Sequence, residues 1–264
     1  MPRLGHFVLH ALVAAVLAFL VLPILAVLPA SLNHASFIRL PPSAVSLRWY
    51  DAFFKDTEWV ASLATSAEVA LLATAISLAL GTAAALGIER MGGIGKRLLS
   101  GLFLAPLIVP AIITAIALYY VMRPLGLVGT TLGLALGHTL LCLPFVVVNV
   151  GVSLASRDAA LLRAAEGLGA SPARVFATVT LPAILPGLVG GAVFAAITSF
   201  DEVVISIFLA GIQAKTLPVK MWETIRVEFT PVVAVAATFL IALTLVLFVL
   251  LHGIVQRSRR PVAA

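Results

Sequence analysis

The sequence predicts an all-α membrane protein with about six transmembrane helices, and its composition and apolar runs carry this prediction. Of 264 residues, 62% are hydrophobic and 11% are charged, and the mean hydropathy is +1.16. A soluble globular chain is nearer half apolar and a quarter charged, so one core of this size cannot bury the surplus. A cytosolic enzyme, a secreted disulfide scaffold and a disordered chain are therefore excluded.

Six apolar runs are long enough to cross the hydrocarbon core, which needs about 20 residues per helix. They cover residues 7–32, 62–88, 98–122, 131–154, 183–211 and 231–255. The first run is longer than the apolar region of a signal peptide, so we expect it to be a membrane helix. We also expect prolines to interrupt most spans, at Pro23, Pro29, Pro106, Pro110, Pro144 and Pro186.

The basic residues predict the orientation of the chain. Six spans put both termini on one side, and that side carries ten of the basic residues, in short segments: Arg3, Arg90, Lys96, Arg97, Arg157, Arg163, Arg174, Arg257, Arg259 and Arg260. The opposite side carries seven: Arg39, Arg48, Lys55, Arg123, Lys215, Lys220 and Arg226. The positive-inside rule therefore predicts cytoplasmic termini. The same distribution explains the net charge of +6 without nucleic-acid binding.

The chain shows no pattern of catalytic or metal-ligating residues. Its five histidines lack metal-ligand spacing, and the single cysteine, Cys142, cannot form an internal disulfide. The sequence contains no H-E-x-x-H and no G-x-S-x-G, which disfavours a membrane enzyme. We expect no catalytic residue, cofactor or metal, and we expect His138 and Asn149 in the fourth span to hydrogen-bond across helices.

The segment between spans four and five, residues 157–185, is too polar to span a membrane and too long for a tight turn. Helix formers from 158 to 168 predict a short helix, and Gly169 suits the left-handed position just past its end. Ser171 followed by Pro172 predicts the start of a second helix, which Pro182 is expected to stop or kink. From the residues alone, this helical elbow is equally well a docking element or an interfacial anchor.

The elbow resembles the EAA loop of ABC-importer permeases. The pattern of that loop is Glu-Ala-Ala, three residues, Gly, nine residues and Ile-x-Leu-Pro. This chain has Arg163-Ala164-Ala165, then Gly169, then Val179-Thr180-Leu181-Pro182, at the same spacing throughout. Arg163 departs from the pattern by reversing a charge, although Glu166 lies one turn further along the helix.

The resemblance implies one membrane subunit of a type I ABC importer in the bacterial inner membrane. It implies a single permease domain over 1–264, with a five-helix core at 62–255 and a cytoplasmic coupling loop at 157–182. The implied ATPase-docking residues are Arg163, Ala164, Ala165, Glu166, Gly169, Ala170, Ser171 and Pro172. No phosphate loop G-x-x-x-x-G-K-[ST] occurs, so ATP hydrolysis belongs to a partner. The implied partners are a dimer of cytoplasmic ATP-binding subunits, a second, non-identical permease and a periplasmic solute-binding protein.

Asp201 and Glu202 are adjacent acids in the fifth span, where each costs roughly 2.5–3.5 kcal/mol on insertion scales. Ser199 and Glu202 have capping-box spacing, so one interpretation is that Ser199 caps a half-helix with both acids in its first turn. The other is that one or both acids face the transport pathway and attract a cationic substrate. The two interpretations are compatible.

The stretch from 198 to 220 also resembles spermidine/putrescine permease subunits. The shared features are Phe-Asp-Glu at 200–202 before apolar residues, and Thr216-Leu217-Pro218 with a base two residues on; the likeness extends to the element at 47–50. The resemblance implies a polyamine cargo, with another amine, an opine or a phosphonate as alternatives. An ion-coupled secondary transporter with an Asp201–Glu202 relay is a further alternative, although it leaves the elbow unexplained.

Overall fold

The structure, a computed structural model, describes residues 2–228 and 230–258, and every regular element in that part of the chain is helical. The α-helices are α1 (Pro2–Ser31), α2 (Arg48–Lys55), α3 (Thr57–Arg90), α4 (Gly93–Leu104), α5 (Ala111–Met122), α6 (Thr131–Ala155), α7 (Ala159–Gly167), α8 (Pro172–Val175), α9 (Leu181–Phe200), α10 (Val204–Leu209), α11 (Leu217–Val227) and α12 (Pro231–Ser258). Arg259 and Arg260, two of the expected cytoplasmic bases, lie outside the described residues.

Five continuous stretches of the described chain are long and apolar enough to cross a membrane. They are Val8–Ser31, Thr57–Arg90, Thr131–Ala155, Pro172–Phe200 and Pro231–Gly253. A sixth candidate is a pair of helices, Gly93–Leu107 and Ala111–Met122, bent by 98°. The predicted class, an all-α membrane protein with about six spans, is therefore confirmed.

The bend divides the third predicted span, which is consequently not one straight helix. The chain leaves α4 through a 3₁₀ turn at Ala105–Leu107, and Pro110, with φ −54° and ψ 128°, is not helical immediately before α5. Proline lacks a backbone N–H and disfavours helical geometry in the residue before it, so a break at Pro110 follows from its chemistry. The broader expectation that prolines interrupt most spans is wrong, because four of them lie inside continuous helices: Pro23, Pro29, Pro144 and Pro186.

The described residues form two compact units. The first contains the chain up to Val60 together with Lys220–Ala242. At its centre, Phe53 is fully buried, with its ring 5.6 Å from that of Trp59 and 5.1 Å from that of Phe239. The second unit contains Ala61–Val219 and the residues from Leu243 onwards. The single permease domain with a core at 62–255 stays a prediction.

Within the second unit, α6 and α9 form the most extensive helix pairing, and glycines on α9 allow it. A Cβ atom added at Gly187 would lie 2.5 Å from the backbone oxygen of Asn149, and one added at Gly191 would lie 3.1 Å from Cα of Val146. Small residues let helix backbones approach in this way within a bilayer. The paired helices position both candidate sites, because the elbow joins them at one end and the acid pair follows α9 at the other.

Candidate functional site

The first half of the elbow is built by local hydrogen bonds that match the sequence pattern. The Asp158 side chain accepts a hydrogen bond from the N–H of Ala160 at 2.7 Å and so caps α7. At the other end Gly169 has a φ of +78°, and its N–H donates to the carbonyl of Glu166 at 2.9 Å. Glycine adopts this left-handed conformation without a steric penalty. The predicted helix and its glycine terminator are confirmed.

The second half of the elbow runs directly into the fifth span. Ser171 caps α8 by accepting from the N–H of Arg174 at 3.4 Å, with Pro172 at the first helical position as predicted. The helix then widens into a π-turn, Phe176–Thr180, before α9 begins. The prediction that Pro182 stops this helix is wrong, because Pro172–Phe200 is one continuous candidate span. That Pro182 kinks the helix stays a prediction. The wide turn accommodates the proline, since the N–H of Leu181 reaches back five residues to Phe176.

Most of the predicted docking residues are accessible. Six are exposed, namely Arg163, Ala164, Glu166, Gly169, Ser171 and Pro172, while Ala165 and Ala170 are half-buried. The elbow also exposes apolar side chains, with Leu168 89% and Leu161 60% accessible. Exposed apolar groups beside polar ones are typical of interaction surfaces. Their role in docking stays a prediction.

Sequence reasoning missed a contact at the base of the elbow. Arg157, counted only as a cytoplasmic base, donates from Nη2 to Oε1 of Glu89 at 2.8 Å and from Nη1 to Oγ1 of Thr180 at 3.2 Å. Its side chain is only 12% exposed. Glu89 lies 68 residues away in sequence, near the end of α3, so no local pattern could have indicated this pair.

The acid pair occupies a break between α9 and α10, and its two members differ. The Glu202 carboxylate accepts from the N–H of Ile205 at 2.8 Å and from the N–H of Ser206 at 2.9 Å, which caps α10. Glu202 is 8% exposed, whereas Asp201 is exposed. The prediction that Ser199 is the capping residue is wrong, because Ser199 lies inside α9. A carboxylate does cap a half-helix, but the capping residue is Glu202, three residues after Ser199.

His138 links the acid pair to the fourth span. Its Nδ1 lies 2.8 Å from Oγ of Ser199, and its Nε2 lies 2.9 Å from Oγ of Ser206 and 3.5 Å from Oε2 of Glu202. The prediction that His138 hydrogen-bonds across helices is confirmed. The same expectation for Asn149 is wrong, since its amide donates to the Phe145 carbonyl within α6 at 2.8 Å.

The accessible carboxylate of Asp201 follows directly after a continuous helical span. The 29 residues of Pro172–Phe200 rise about 43 Å at the α-helical 1.5 Å per residue, enough to cross a bilayer. The elbow and Asp201 therefore belong to opposite ends of the fifth span. No group of three or more His, Cys, Asp or Glu side chains within the described residues is arranged to hold a metal ion.

Comparison with known proteins gives a consistent set of relatives. Residues 75–261 match the family described as binding-protein-dependent transport system inner membrane component. The chain is 29% identical to the spermidine/putrescine transport system permease protein PotC of Haemophilus influenzae, covering 96% of this chain and 98% of that one. It is 30% identical to the putrescine transport system permease protein PotI of Escherichia coli K12, covering 84% of this chain and 82% of that one. It is also 30% identical to the trehalose transport system permease protein SugB of Mycobacterium tuberculosis, covering 77% of this chain and 76% of that one.

Solved structures share the fold. A bacterial ABC transporter involved in the import of the acidic polysaccharide alginate matches with a TM-score of 0.72 at 17% identity, covering 98% of this chain and 97% of that one. The MetNI methionine ABC transporter matches with a TM-score of 0.62 at 20% identity, covering 76% of this chain and 96% of that one.

Proposed function

This chain belongs to the family of binding-protein-dependent transport system inner membrane components and is a multi-pass permease subunit of an ABC importer, and we propose that its cargo is a polyamine. We further propose a dimer of cytoplasmic ATP-binding subunits, a second, non-identical permease and a periplasmic solute-binding protein as its partners. In this arrangement both termini and the elbow lie in the cytoplasm, and ATP hydrolysis takes place in the partner.

The proposed docking of the ATP-binding subunit on the elbow is supported by accessibility and shape. Gly169 turns the chain sharply between α7 and α8, so both short helices present side chains beside the turn. The exposed side chains there include apolar Leu168 and charged Arg163. A groove on the partner that receives this surface would bury apolar area, and an acidic residue in it would complement Arg163.

The polyamine assignment depends chiefly on relatives that match nearly the whole chain. PotC aligns with 96% of the chain, whereas the trehalose permease aligns with 77% at nearly equal identity. The exposed carboxylate of Asp201 is a second support, because polyamines carry several positive charges at neutral pH. We propose that Asp201 meets the cargo along the pathway, while Glu202 holds the neighbouring backbone by capping α10.

The test of this proposal is uptake of labelled spermidine and putrescine in cells that lack other polyamine importers, with and without this gene. Uptake that depends on the gene and is competed by unlabelled amines supports the polyamine cargo. Unchanged uptake excludes it and turns attention to other amines, opines and phosphonates. Collapsing the ion gradients while ATP is maintained should leave uptake intact, and the opposite result would indicate an ion-coupled transporter.

A further inference from the structure

Three helical segments of the second unit converge on the guanidinium of Arg157. The residue itself follows the end of α6, and its two nitrogens reach Glu89 in the last turn of α3 and Thr180 in the π-turn before α9. Both partners are oxygen acceptors in hydrogen-bond distance, and the contact with Glu89 is charge-assisted. One side chain thus ties together the ends of three helices where the elbow begins and ends.

The surroundings of this contact are poorly suited to holding the elbow by packing. A cleft of about 560 Å³ adjoins the contact, and its lining includes Leu86 of α3, Leu162 of α7 and Phe176 of the π-turn. The π-turn at Phe176–Thr180 also interrupts the regular hydrogen-bond ladder just where the elbow joins the fifth span. An interruption of that kind is a place where a helix bends.

We propose that Arg157 is a positioning residue that holds the π-turn in place through its hydrogen bonds. A displacement of the elbow then moves α3 and α9 with it and does not merely bend the chain at the π-turn. The inference rests on the proposed coupling role of the elbow. The ion pair suits the task because the Arg157 side chain is 12% and the Glu89 side chain 33% exposed, so water screens it only in part. Removing one partner leaves the other charge without its counter-ion in a half-buried position.

The experiment uses the complete importer, purified through a tag on this chain and reconstituted in vesicles. It measures three quantities: ATP-binding subunit retained, ATP hydrolysed and cargo imported. For Arg157→Gln and Glu89→Gln we expect normal retention of the ATP-binding subunit and a loss of cargo imported per ATP, on the order of tenfold, within the usual range of coupling between sites. Thr180→Val, which removes only the weaker contact, should give a smaller loss.

The charge-exchanged pair Glu89→Arg with Arg157→Glu separates positioning from general damage. We expect it to recover much of the import per ATP that either single change loses, because it restores the ion pair in the opposite sense. The matched control is Arg97→Gln, which removes an exposed base on α4 and should leave all three quantities unchanged.

Two results would overturn the inference while leaving the proposed function intact. One is a wild-type ratio of import to ATP hydrolysis in both Arg157→Gln and Glu89→Gln. The other is loss of the retained ATP-binding subunit in proportion to import, since that would make Arg157 a docking residue. A wild-type chain that neither retains an ATP-binding subunit nor supports ATP-driven import of any amine would overturn the proposed function as well.

Discussion

The ring of His138 and the carboxylate of Glu202 face each other inside the second unit, with Nε2 3.5 Å from Oε2 and both residues buried. The same carboxylate accepts two backbone N–H groups at the start of α10, and the same ring meets Ser199 on α9. The break after the fifth span is therefore held by a polar network in which nearly every hydrogen-bonding group has a partner. Asp201, one residue away, stands outside this network and is exposed.

The first prediction concerns Glu202 as a structural acid. Glu202→Ala removes the cap of α10, and we expect the free energy of unfolding to fall by about 0.5–2 kcal/mol, the usual range for a lost cap. Glu202→Gln keeps one acceptor oxygen and should lose less. Thermal unfolding of the detergent-purified chain measures both. If each variant instead unfolds like the wild type while its apparent affinity for polyamine falls, Glu202 meets the cargo and the capping assignment is wrong.

The second prediction concerns Asp201 as the residue that meets the cargo. Asp201→Asn removes the charge at nearly constant shape and keeps one acceptor oxygen, and we expect the spermidine concentration for half-maximal uptake to rise roughly tenfold, because the hydrogen bond to the ammonium loses its ionic part. The melting temperature should not change, because the side chain is exposed. Glu68→Gln, at another exposed acid of the second unit, is the matched control and should leave uptake unchanged. An unaltered concentration dependence in Asp201→Asn would remove Asp201 from the pathway.

Local signals in the sequence were sufficient to predict the elbow. The predicted capping side chain of Ser171 acts on an N–H group three residues away, and Gly169 terminates the helix that precedes it. The cap of Asp158, which was not predicted, likewise reaches an N–H group only two residues away. Each of these interactions lies within one turn of backbone. Spacing alone therefore specifies them.

The same reasoning failed where partners are distant in sequence. Ser199 has the spacing of a capping residue, but His138, 61 positions earlier, lies at its hydroxyl, and the helix continues to Phe200. The contact between Arg157 and Glu89 joins positions 68 apart and has no local signature. Pro182 was expected to end a helix because of its missing N–H, yet a widened turn absorbs the defect. In the first two places tertiary contacts decide the outcome, and at Pro182 a local widening of the helix does.

The third prediction tests the turn of the elbow with two glycines that are two residues apart. A Cβ atom at Gly169 would meet no neighbour within 4 Å, so Gly169→Ala strains only the backbone, whose φ is +78°. That strain is about 1–2 kcal/mol, and we expect it to move α8 relative to α7 and to lower both retention of the ATP-binding subunit and import. Gly167→Ala is the control, since Gly167 is the last residue of α7 and also has open space around it. Equal behaviour of the two variants would count against docking at this turn.

The fourth prediction concerns the approach of α9 to α6, which positions the elbow at one end and the acid pair at the other. A methyl group at Gly187 would lie 2.5 Å from both the backbone oxygen of Asn149 and Oγ of Ser153, so Gly187→Ala must push the helices apart. Overpacking of this kind typically costs about 1–3 kcal/mol. We therefore expect a lower melting temperature in detergent and reduced import even though neither candidate site has been altered.

Gly151→Ala provides the comparison for that experiment, because Gly151 lies on α6 and a Cβ atom there would contact nothing within 4 Å. The extra methyl group also favours the helix, by up to about 1 kcal/mol relative to glycine. Gly151→Ala should thus melt at the same temperature as the wild type or higher, while Gly187→Ala melts lower. If the two variants melted alike, the close contact of α6 and α9 would not be a determinant of stability, and its role in positioning the elbow and the acid pair would lose its physical basis.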